Sequence, residues 1–508
     1  MMPFAEKLSF LMHITETSNK ELAAVLSVDP SMISLMRTGK RRLSKNPVQT
    51  QRMAAYFAQR CSAPYQRQAL SEMLGLSSIS PTLPVDSLAD YLKRWLMGHE
   101  NLADVLLDGI QSLPKQLVDN SVPSSFPIST AASENETLFF FGEEGRRAAI
   151  IHMAEELLRI ETPCAILFVV DDNLEWLLSD YPLAKKIQAG LMELSERGFT
   201  FLQIMPPMNF INRYAESLRF WLPLYATGQT KVYYYPRLRG NLYRHSIIVV
   251  PGHCAQFVAS VGPGSASDIT MFTTNTNLVA AFEDQFQDHL SLCRPSLTVH
   301  RGPEKLFPLL NDFFSRSCDT IQMSNTLPAI TMPKELLVSC VEKTELSVWK
   351  QCFQTCIDNL PKFEAFLCRK KHIDMARLAT AAEVRSGKVC IASPHETHLL
   401  HPRYTPQTYI LHLQNILRLM DEYENYFFLP LHGEEVPDYD LYVNEDDMAL
   451  ITRTAPPLIT LEIRRQAMVT AVQEHLLRKA DSIGYDGIHK EKARMELRAL
   501  IQELNSTP

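Results

Sequence analysis

Apolar residues in the first sixty positions recur with the spacing of helices. Phe4, Leu8 and Leu11 lie on one stripe, which predicts a helix over 4–15. Ser18, with Glu21 three residues later, has the spacing of a capping box and predicts the start of a second helix. The N-terminal part of the chain is therefore predicted to be all-α.

A third and a fourth helix follow. Asp29 is a favourable N-cap, and Pro30 suits the first helical position, where a missing N–H costs nothing. Ile33 and Met36 are predicted to point inward, and Gly39 to end the third helix. The fourth helix is predicted to begin near residue 47 and to end near 61.

From Leu138 onward, short apolar strands alternate with amphipathic helices. This alternation predicts an α/β sheet with parallel strand pairs. The predicted strands cover 138–141, 165–170, 199–205, 232–235, 246–250 and 257–260, and the predicted helices cover 143–159, 183–197 and 278–293.

The last two hundred residues repeat much of this plan. A strand at 297–300 and a helix at 303–316 open it, and strands at 426–430, 441–443 and 449–453 precede a helix at 458–480. We therefore predict a large α/β body made of two similar lobes.

Two linker-like segments separate the two parts. Residues 76–84 and 119–136 are rich in Ser and Pro, and between them 86–117 has a helical stripe. This helical piece is either a dimerisation stalk or a helix packed on the next domain.

Charge is unevenly distributed along the 508 residues. The whole chain has a net charge of −7, yet residues 1–75 contain ten Lys or Arg and five Asp or Glu. A small basic part joined to a large acidic body is typical of a nucleic-acid binder with a separate sensing or assembly domain.

The segment 21–44, ELAAVLSVDPSMISLMRTGKRRLS, resembles the XRE-type (lambda-repressor-like) helix-turn-helix family. The likeness covers about the first sixty residues and includes Ala23, Val28, Ile33, Gly39 and Arg41. The family usually has an acid two residues before the glycine, where this chain has Arg37. The resemblance implies that the third helix enters the major groove of DNA.

The same resemblance assigns roles to individual residues. Base edges would be contacted by Ser31, Met32 and Leu35, with Ser34 nearby, although none of these side chains makes a bidentate contact. Phosphates would be held by a second group of polar and basic residues, namely Asn19, Lys20, Arg37, Lys40, Arg41, Arg42 and Lys45.

The order of elements in 138–295 resembles the phospholipase D-like fold. The segment 243–260, YRHSIIVVPGHCAQFVAS, is similar to the strand that carries H-x-K-x4-D in those enzymes. His245 is present, but Ile247 stands at the lysine position and Gly252 at the aspartate position, and the second lobe has no such histidine around 438–443. The resemblance therefore implies a non-catalytic relative and no catalytic residues.

Other polar clusters suggest weaker hypotheses. Two i,i+4 pairs, Cys352 with Cys356 and Cys368 with His372, and the run His395, Glu396, His398 and His401 lack the spacing of known zinc motifs, so we predict no metal and no cofactor. An aromatic and basic cluster favours a small anionic or aromatic ligand, with half-buried tyrosines and a solvated arginine loop as the alternative; its members are Trp221, Tyr233, Tyr235, Arg237, Arg239, Arg244 and His245.

These patterns together predict a dimeric, cytoplasmic transcriptional regulator that binds double-stranded DNA and no membrane. Its predicted parts are a DNA-binding domain (1–75), a helical linker or dimerisation segment (76–136), a first α/β lobe (137–295) and a second lobe with helical insertions (296–508). Two alternatives are a phosphoester-processing enzyme with a DNA-targeting domain and a protein-interaction scaffold, which an exposed apolar patch without a closed pocket would favour.

Overall fold

The structure is a computed structural model. It describes residues 4–38, 47–63, 65–67, 69–70, 85–97, 102–114, 135–170, 174–205, 211–236, 243–261, 268–315, 318–345, 347–391, 402–432, 437–445, 447–483 and 489–506. Within these ranges no helix is both long enough and apolar enough to span a membrane.

The N-terminal part, which we call the head (residues 4–97), is made of helices around one core. Its helices are α1 (Phe4–Ile14), α2 (Asn19–Leu26), α3 (Pro30–Arg37), α4 (Pro47–Arg60) and α5 (Val85–Met97). Leu8, Phe57 and Leu92 are fully buried in this core. Because α5 shares the core with α1 to α4, the boundary predicted at residue 75 cuts through it.

The helical stripe predicted over 86–117 is two helices with different neighbours. The first is α5, whose Trp95 carbonyl accepts a hydrogen bond from Lys7 Nζ at 2.5 Å. The second is α6 (Leu102–Gln111), whose buried Leu106 and Ile110 belong to the core of the body. The apolar faces of both helices are thus covered within the chain.

The body (residues 102–506) begins with α6 and continues into lobe 1. The strands of lobe 1 are β1 (Thr137–Phe141), β2 (Ala165–Val169), β3 (Thr200–Met205), β4 (Thr230–Tyr234), β5 (Tyr243–Val250), β6 (Cys254–Val261) and β7 (Ile269–Thr273). Its helices are α7 (Gly142–Arg159), α8 (Glu175–Leu178), α9 (Tyr181–Glu196), α10 (Ile211–Ala226) and α11 (Thr276–Ser291).

Lobe 2 follows directly. Its strands are β8 (Arg294–Arg301), β9 (Thr320–Ser324), β10 (His372–Arg377), β11 (Tyr426–Leu431), β12 (Tyr439–Asn444), β13 (Met448–Arg453) and β14 (Ile459–Ile463). Its helices are α12 (Pro303–Ser315), α13 (Lys334–Lys343), α14 (Ser347–Leu367), α15 (Ala381–Arg385), α16 (Pro406–Glu422), α17 (Gln466–Ser482) and α18 (His489–Asn505).

All the strands form one 14-stranded mixed sheet in the order β1-β7-β6-β5-β2-β3-β4-β8-β14-β13-β12-β9-β10-β11. When the strands of lobe 2 are counted from β8, their order is the same as that of lobe 1. The lobes join through the antiparallel pair β4–β8, where Val232 lies opposite Leu297. The prediction of a large α/β body with two similar lobes is confirmed.

The helix predicted over 458–480 is partly wrong. Ile459–Ile463 is strand β14, paired with β8 and β13, and the helix α17 begins only at Gln466. The segment I-T-L-E-I alternates with period two and is rich in β-branched residues, which favours a strand.

Helix α6 lies between the two lobes. It packs on α10 of lobe 1 and on α17 of lobe 2. The Asp104 carboxylate is 2.7 Å from His475 Nδ1 on α17, and Asp108 is 3.6 Å from Arg219 on α10. The chain therefore passes from the head into the seam between the lobes.

Lobe 2 contains a buried polar layer on one face of its sheet. Asp374 on β10 is fully buried and accepts hydrogen bonds from Gln322 Nε2 at 3.1 Å and from the Tyr426 hydroxyl at 3.0 Å. Burial raises the pKa of Asp374 to about 6, because desolvation outweighs these two hydrogen bonds.

This raised pKa predicts a loss of stability on going to neutral pH. The folded protein keeps the Asp374 proton up to about pH 6, whereas an unfolded aspartate releases it near pH 3.9. The free energy of unfolding is therefore expected to fall as pH rises from about 4 to 6, by at most about 3 kcal/mol. When the free energy of unfolding is measured with urea at several pH values, it should depend less on pH in Asp374→Asn than in wild type. The control variant Asp284→Asn, at an exposed residue, should show the same pH dependence as wild type.

Candidate nucleic-acid interface

Helices α2 and α3 are joined by a short turn and fixed by their caps. Ser18 accepts a hydrogen bond from the Glu21 backbone N–H, and Glu21 accepts one from the Ser18 backbone N–H, so the predicted capping box is confirmed. Asp29 caps α3 through the Ser31 backbone N–H at 2.8 Å, with Pro30 at the first turn, also as predicted. Ser27 ends α2 in the left-handed region with φ 55°.

The inner face of α3 is buried and its outer face is open. Ile33 and Met36 are 0% and 2% exposed and belong to the core of the head, as predicted. The predicted base-contacting residues Ser31, Ser34 and Leu35 are exposed, and Met32 is half-buried. The outer face of α3 is thus available to a partner.

Arg37, the departure from the family pattern, links the end of α3 to the start of α2. Its Nη1 donates to Asn19 Oδ1 at 3.0 Å. Both residues belong to the predicted phosphate-binding set, and Lys20 beside them is exposed. The structure therefore brings Asn19, Lys20 and Arg37 together at the N-terminus of α2.

A negative charge lies at the same helix end. Hydrogen bonds from Ser18 lower the pKa of Glu21, which is therefore ionised at neutral pH. Arg60 on α4 forms an ion pair with Glu21 at 3.1 Å and offsets this charge. The other four predicted phosphate-binding residues, Lys40, Arg41, Arg42 and Lys45, lie outside the described residues.

The ligand cluster predicted in the body is not one site. Trp221 on α10 is buried against the face of the sheet covered by α7, α9 and α10. Tyr233 packs into the cluster under α11 on the opposite face, and the Tyr235 ring is 5.9 Å from the His289 ring of α11. Since the sheet separates Trp221 from the tyrosines, the predicted site does not include Trp221.

The remaining members of that cluster are less informative. His245 lies half-buried on β5, and Arg244 is on the same strand. Arg237 and Arg239 lie outside the described residues.

The structure places the positions of the incomplete H-x-K-x4-D pattern. Ile247 is 2% exposed among Leu167 and Val169 under α11. Gly252 is in the turn between β5 and β6 with φ +74°, in the left-handed region that glycine adopts most readily. The buried apolar surroundings of Ile247 do not suit a lysine, and Gly252 has no side chain that could act as the aspartate.

The two i,i+4 pairs considered as zinc ligands, Cys352 with Cys356 and Cys368 with His372, do not form a metal site. His372 is fully buried on β10 with Nδ1 2.6 Å from Thr320 Oγ1, and burial lowers its pKa to about 3. Cys368, its predicted co-ligand, is exposed. Among the described residues no group of three or more His, Cys, Asp or Glu is arranged to hold a metal ion, and His395, Glu396, His398 and His401 lie outside them.

Sequence reasoning missed two features of lobe 1. One is a cavity between the sheet and its helices, whose wall includes Gln256. The other is the position of the predicted strand β1 at the edge of the sheet, where Phe139 and Phe141 are exposed. The sequence contained a signal for each feature. For the cavity it was a lone Gln inside the apolar strand C-A-Q-F-V, and for the edge it was three consecutive Phe in a strand with two faces.

Comparison with known proteins gives distant likenesses only. No family model matches the chain, and no curated protein matches it. The body has a distant structural similarity to phospholipase D-like folds, among them Nuc from Salmonella typhimurium, a phospholipase D family member, with 12% identity over 32% of this chain and 98% of that chain and a TM-score of 0.24.

Two further solved structures are similar at the same level. TrmBL2, an archaeal chromatin protein, has 14% identity, covers 46% of this chain and 82% of that chain, and has a TM-score of 0.23. Polyphosphate kinase from Porphyromonas gingivalis has 11% identity, covers 73% of this chain and 56% of that chain, and has a TM-score of 0.22. TM-scores this low carry no functional argument.

Proposed function

We propose that this protein is a sequence-specific, DNA-binding transcriptional regulator of the helix-turn-helix type whose α/β body receives a signal. The observation that carries the proposal is the capped pair α2–α3, with the inner face of α3 in the core and Ser31, Ser34 and Leu35 exposed on its outer face. The net positive charge of the first 75 residues supports it, because phosphate attraction supplies most non-specific affinity for DNA.

The direct test is DNA footprinting with the full-length protein across the genome of its source. We expect a small set of protected sites that share a sequence. Uniform low protection, or none at any salt concentration, would contradict sequence-specific binding.

An enzyme of phosphoester chemistry is the first alternative. We expect no hydrolysis of phospholipid or nucleic-acid phosphodiesters, because the lysine position is the buried Ile247 and the aspartate position is Gly252 at φ +74°. The measurement is turnover of a chromogenic phosphodiester by wild type and by His245→Ala. Hydrolysis that disappears in the variant would establish an enzyme.

A homodimer is part of the proposal, and β1 is where we place its contact. This strand is one end of the sheet, and Phe139 and Phe141 on one face are 58% and 69% exposed, with Ile269 of β7 beside Phe141 at 48%. The other end, β11, is protected: Pro430 lacks an N–H, and α18 packs on the strand. Among the described residues, only the β1 end of the sheet has the character of an open pairing edge.

A second copy is the occupant that fits this edge. Antiparallel pairing of β1 with its copy, centred on Phe139, extends the sheet and produces the two-fold symmetry that a symmetric operator requires. The three side chains expose on the order of 300 Å² per copy, well below the roughly 800 Å² per partner of a stable complex. The expected dimer is therefore weak in solution and stabilised when both heads bind one DNA.

Phe139→Lys is expected to raise the dimer dissociation constant at least about tenfold, since it places like charges opposite each other across the pair. Sedimentation of the full-length protein over a range of micromolar concentrations measures this change. Leu292→Lys, at a residue 59% exposed and outside the strands, is the matched control and should sediment like wild type. A Phe139→Lys protein that dimerises as wild type would exclude β1 as the contact.

A protein-interaction scaffold is the second alternative. The same exposed Phe139 and Phe141 would then bind a different protein. Wild-type protein that stays monomeric at all concentrations, both alone and with its footprinted DNA, would favour this alternative over the dimer.

A further inference from the structure

The last strand of each lobe and the helix that follows it correspond residue by residue. In lobe 1, β7 ends at Thr273 and Asn275 caps α11, and in lobe 2, β14 ends at Ile463 and Arg465 caps α17. The strands also have the same neighbours, since β7 lies between β1 and β6 as β14 lies between β8 and β13. Each surface of lobe 2 around α17 therefore has a counterpart in lobe 1 around α11.

In lobe 2, helix α6 covers one stripe of α17. Asp104 of α6 is 2.7 Å from His475 Nδ1 and 3.7 Å from Arg478 Nη2. Met468 and Ala471 precede these two residues at helical spacing, and they are 1% and 8% exposed. This side of α17 is thus buried by a helix that comes before lobe 2 in the chain.

The strands beside that stripe are buried as well. Val299 of β8 and Ile459 of β14 are 8% and 2% exposed. Helix α10 packs on β8, and the Leu113 carbonyl, just beyond α6, accepts a hydrogen bond from Arg453 Nη2 of β13 at 2.6 Å. Helices α6 and α10 therefore complete the apolar core on this side of lobe 2.

The corresponding face of lobe 1 is uncovered in the part of the chain that the structure describes. The strand registers place Phe139 of β1 at the position of Val299, yet Phe139 is 58% exposed. Ile269 of β7 is likewise at the position of Ile459, and it is 48% exposed. Lobe 1 thus leaves in water apolar side chains whose counterparts lobe 2 buries.

The matching stripe of α11 is open too. Leu278 takes the position of Met468 and is 38% exposed, and Ala281, at the position of Ala471, is also exposed. We call the combined surface the open face; its members are Phe139, Ile269, Leu278, Ala281, Gln285 and Asp288. Since a helix completes the counterpart in lobe 2, a helix is the shape that fits the open face.

The charge of the open face differs from that of its counterpart. Gln285 and Asp288 take the positions of His475 and Arg478, and Asp288 is exposed. A stripe that is basic in lobe 2 is therefore acidic in lobe 1. Charge complementarity then requires Lys or Arg in the bound helix where α6 has Asp104.

We infer that the open face binds an amphipathic α-helix of another protein, with its apolar side on the sheet and a basic residue opposite Asp288. Helix-in-groove binding of this kind uses apolar residues at helical spacing on the bound helix. The described helices of this chain bury their own apolar sides in the cores of the head and the body, so a second copy has none to offer.

This inference goes beyond the proposed regulator and does not rest on it. The proposed dimer uses the outer backbone edge of β1, whereas the open face is formed by side chains of β1, β7 and α11. Both kinds of contact already occur together at the joint of the lobes, where β4 pairs with β8 while α6 and α10 cover the face beside it. A strand and a helix can therefore occupy lobe 1 at the same time.

The probe is a fluorescein-labelled peptide with the sequence of residues 102–113 and the substitution Asp104→Lys. A covalent bridge between its positions 108 and 112, which are exposed on this segment of the chain, keeps so short a helix folded. Fluorescence anisotropy with full-length protein should show saturable binding. The parent peptide with Asp104 should bind about three- to fivefold more weakly, because it replaces one exposed ion pair with a like-charge contact.

Variants of the protein locate the site. Ala281→Lys places a cationic side chain in the stripe of α11 and should weaken binding of the Asp104→Lys peptide at least about tenfold. Ala280→Lys, exposed on the same helix but outside the stripe, is matched in size and charge and should leave the affinity unchanged. Asp288→Lys should reverse the preference, so that the parent peptide becomes the tighter ligand.

Three results would overturn the inference. They are failure of both peptides to bind wild type, unchanged affinity in Ala281→Lys, and the same peptide preference in Asp288→Lys as in wild type. If neither peptide binds and Ala281→Lys abolishes self-association of the wild type in sedimentation, the open face is instead a contact between copies. Because these measurements use no DNA, failure of the helix site and failure of the DNA-binding proposal are distinguishable.

Discussion

A full-length protein with Arg41→Ala and Arg42→Ala is expected to bind duplex DNA on the order of tenfold more weakly than wild type at low salt. Both residues follow α3 in the basic run that the family resemblance assigns to phosphate. Phosphate contacts carry no sequence information, so affinity should fall about equally for specific and random DNA.

Salt dependence gives the sharper readout of the same change. Each lost phosphate contact lowers the slope of log K against log salt by about 0.9, so the double variant should lose about 1.8. Fluorescence anisotropy at four or more salt concentrations measures both quantities. The matched control is Lys334→Ala with Lys343→Ala, two exposed charges on α13 of the body, which should change neither. A wild-type slope in the arginine variant would refute the docking of this segment on DNA.

Trp95→Ala is expected to destabilise the head by about 3–5 kcal/mol, the usual cost of removing a large buried aromatic side chain. Trp95 is 6% exposed, its ring lies 6.3 Å from Phe10 of α1, and Lys7 Nζ is 5.2 Å from its ring centre. Removal of the ring takes away the contact that holds α5 on α1.

Hydrogen exchange of the α1 and α5 amides, measured in the full-length protein, reports this loss without disturbance from the body. Protection should fall in α1 and α5 and stay unchanged in β5 and β12, and DNA affinity should fall with it. Trp95→Phe keeps a ring at the site and should restore much of the protection. Unchanged protection of α1 in Trp95→Ala would show that α5 is not part of the head.

The parts of the fold that sequence predicted well have local causes. Ser18 and Glu21 of the capping box are three residues apart, and the N-cap Asp29 directly precedes Pro30, so these two short-range patterns define the starts of α2 and α3. The repeat of lobe 1 in lobe 2 was also visible, because the strand and helix order survives even where the residues differ.

The strands that were missed contain polar residues that only the tertiary structure buries. In β10 the sequence H-I-D-M-A-R alternates, but its polar positions His372 and Asp374 are inside, paired with Thr320 and Gln322 of β9. A pattern search assigns such residues to a surface or to a metal site.

The ligand cluster failed for a related reason. Trp221 is on a helix and Tyr233 on the next strand, and no spacing rule states which face of the sheet each one reaches. The residues that line the cavity of lobe 1, among them Gln256, Trp176 and Arg146, come from segments far apart in sequence, so only the folded chain brings them together.

The seating of α6 in the seam between the lobes has a consequence for the geometry of the operator. Residues 98–101 connect α5 to α6, and a segment of this length reaches at most about 18 Å even when fully stretched. A linker this short prevents the head from reaching a half-site independently of the body. In the two-fold dimer proposed above, the body would set the distance between the two recognition helices. We therefore expect operators to be selected by the number of base pairs between their halves as strictly as by the bases within them.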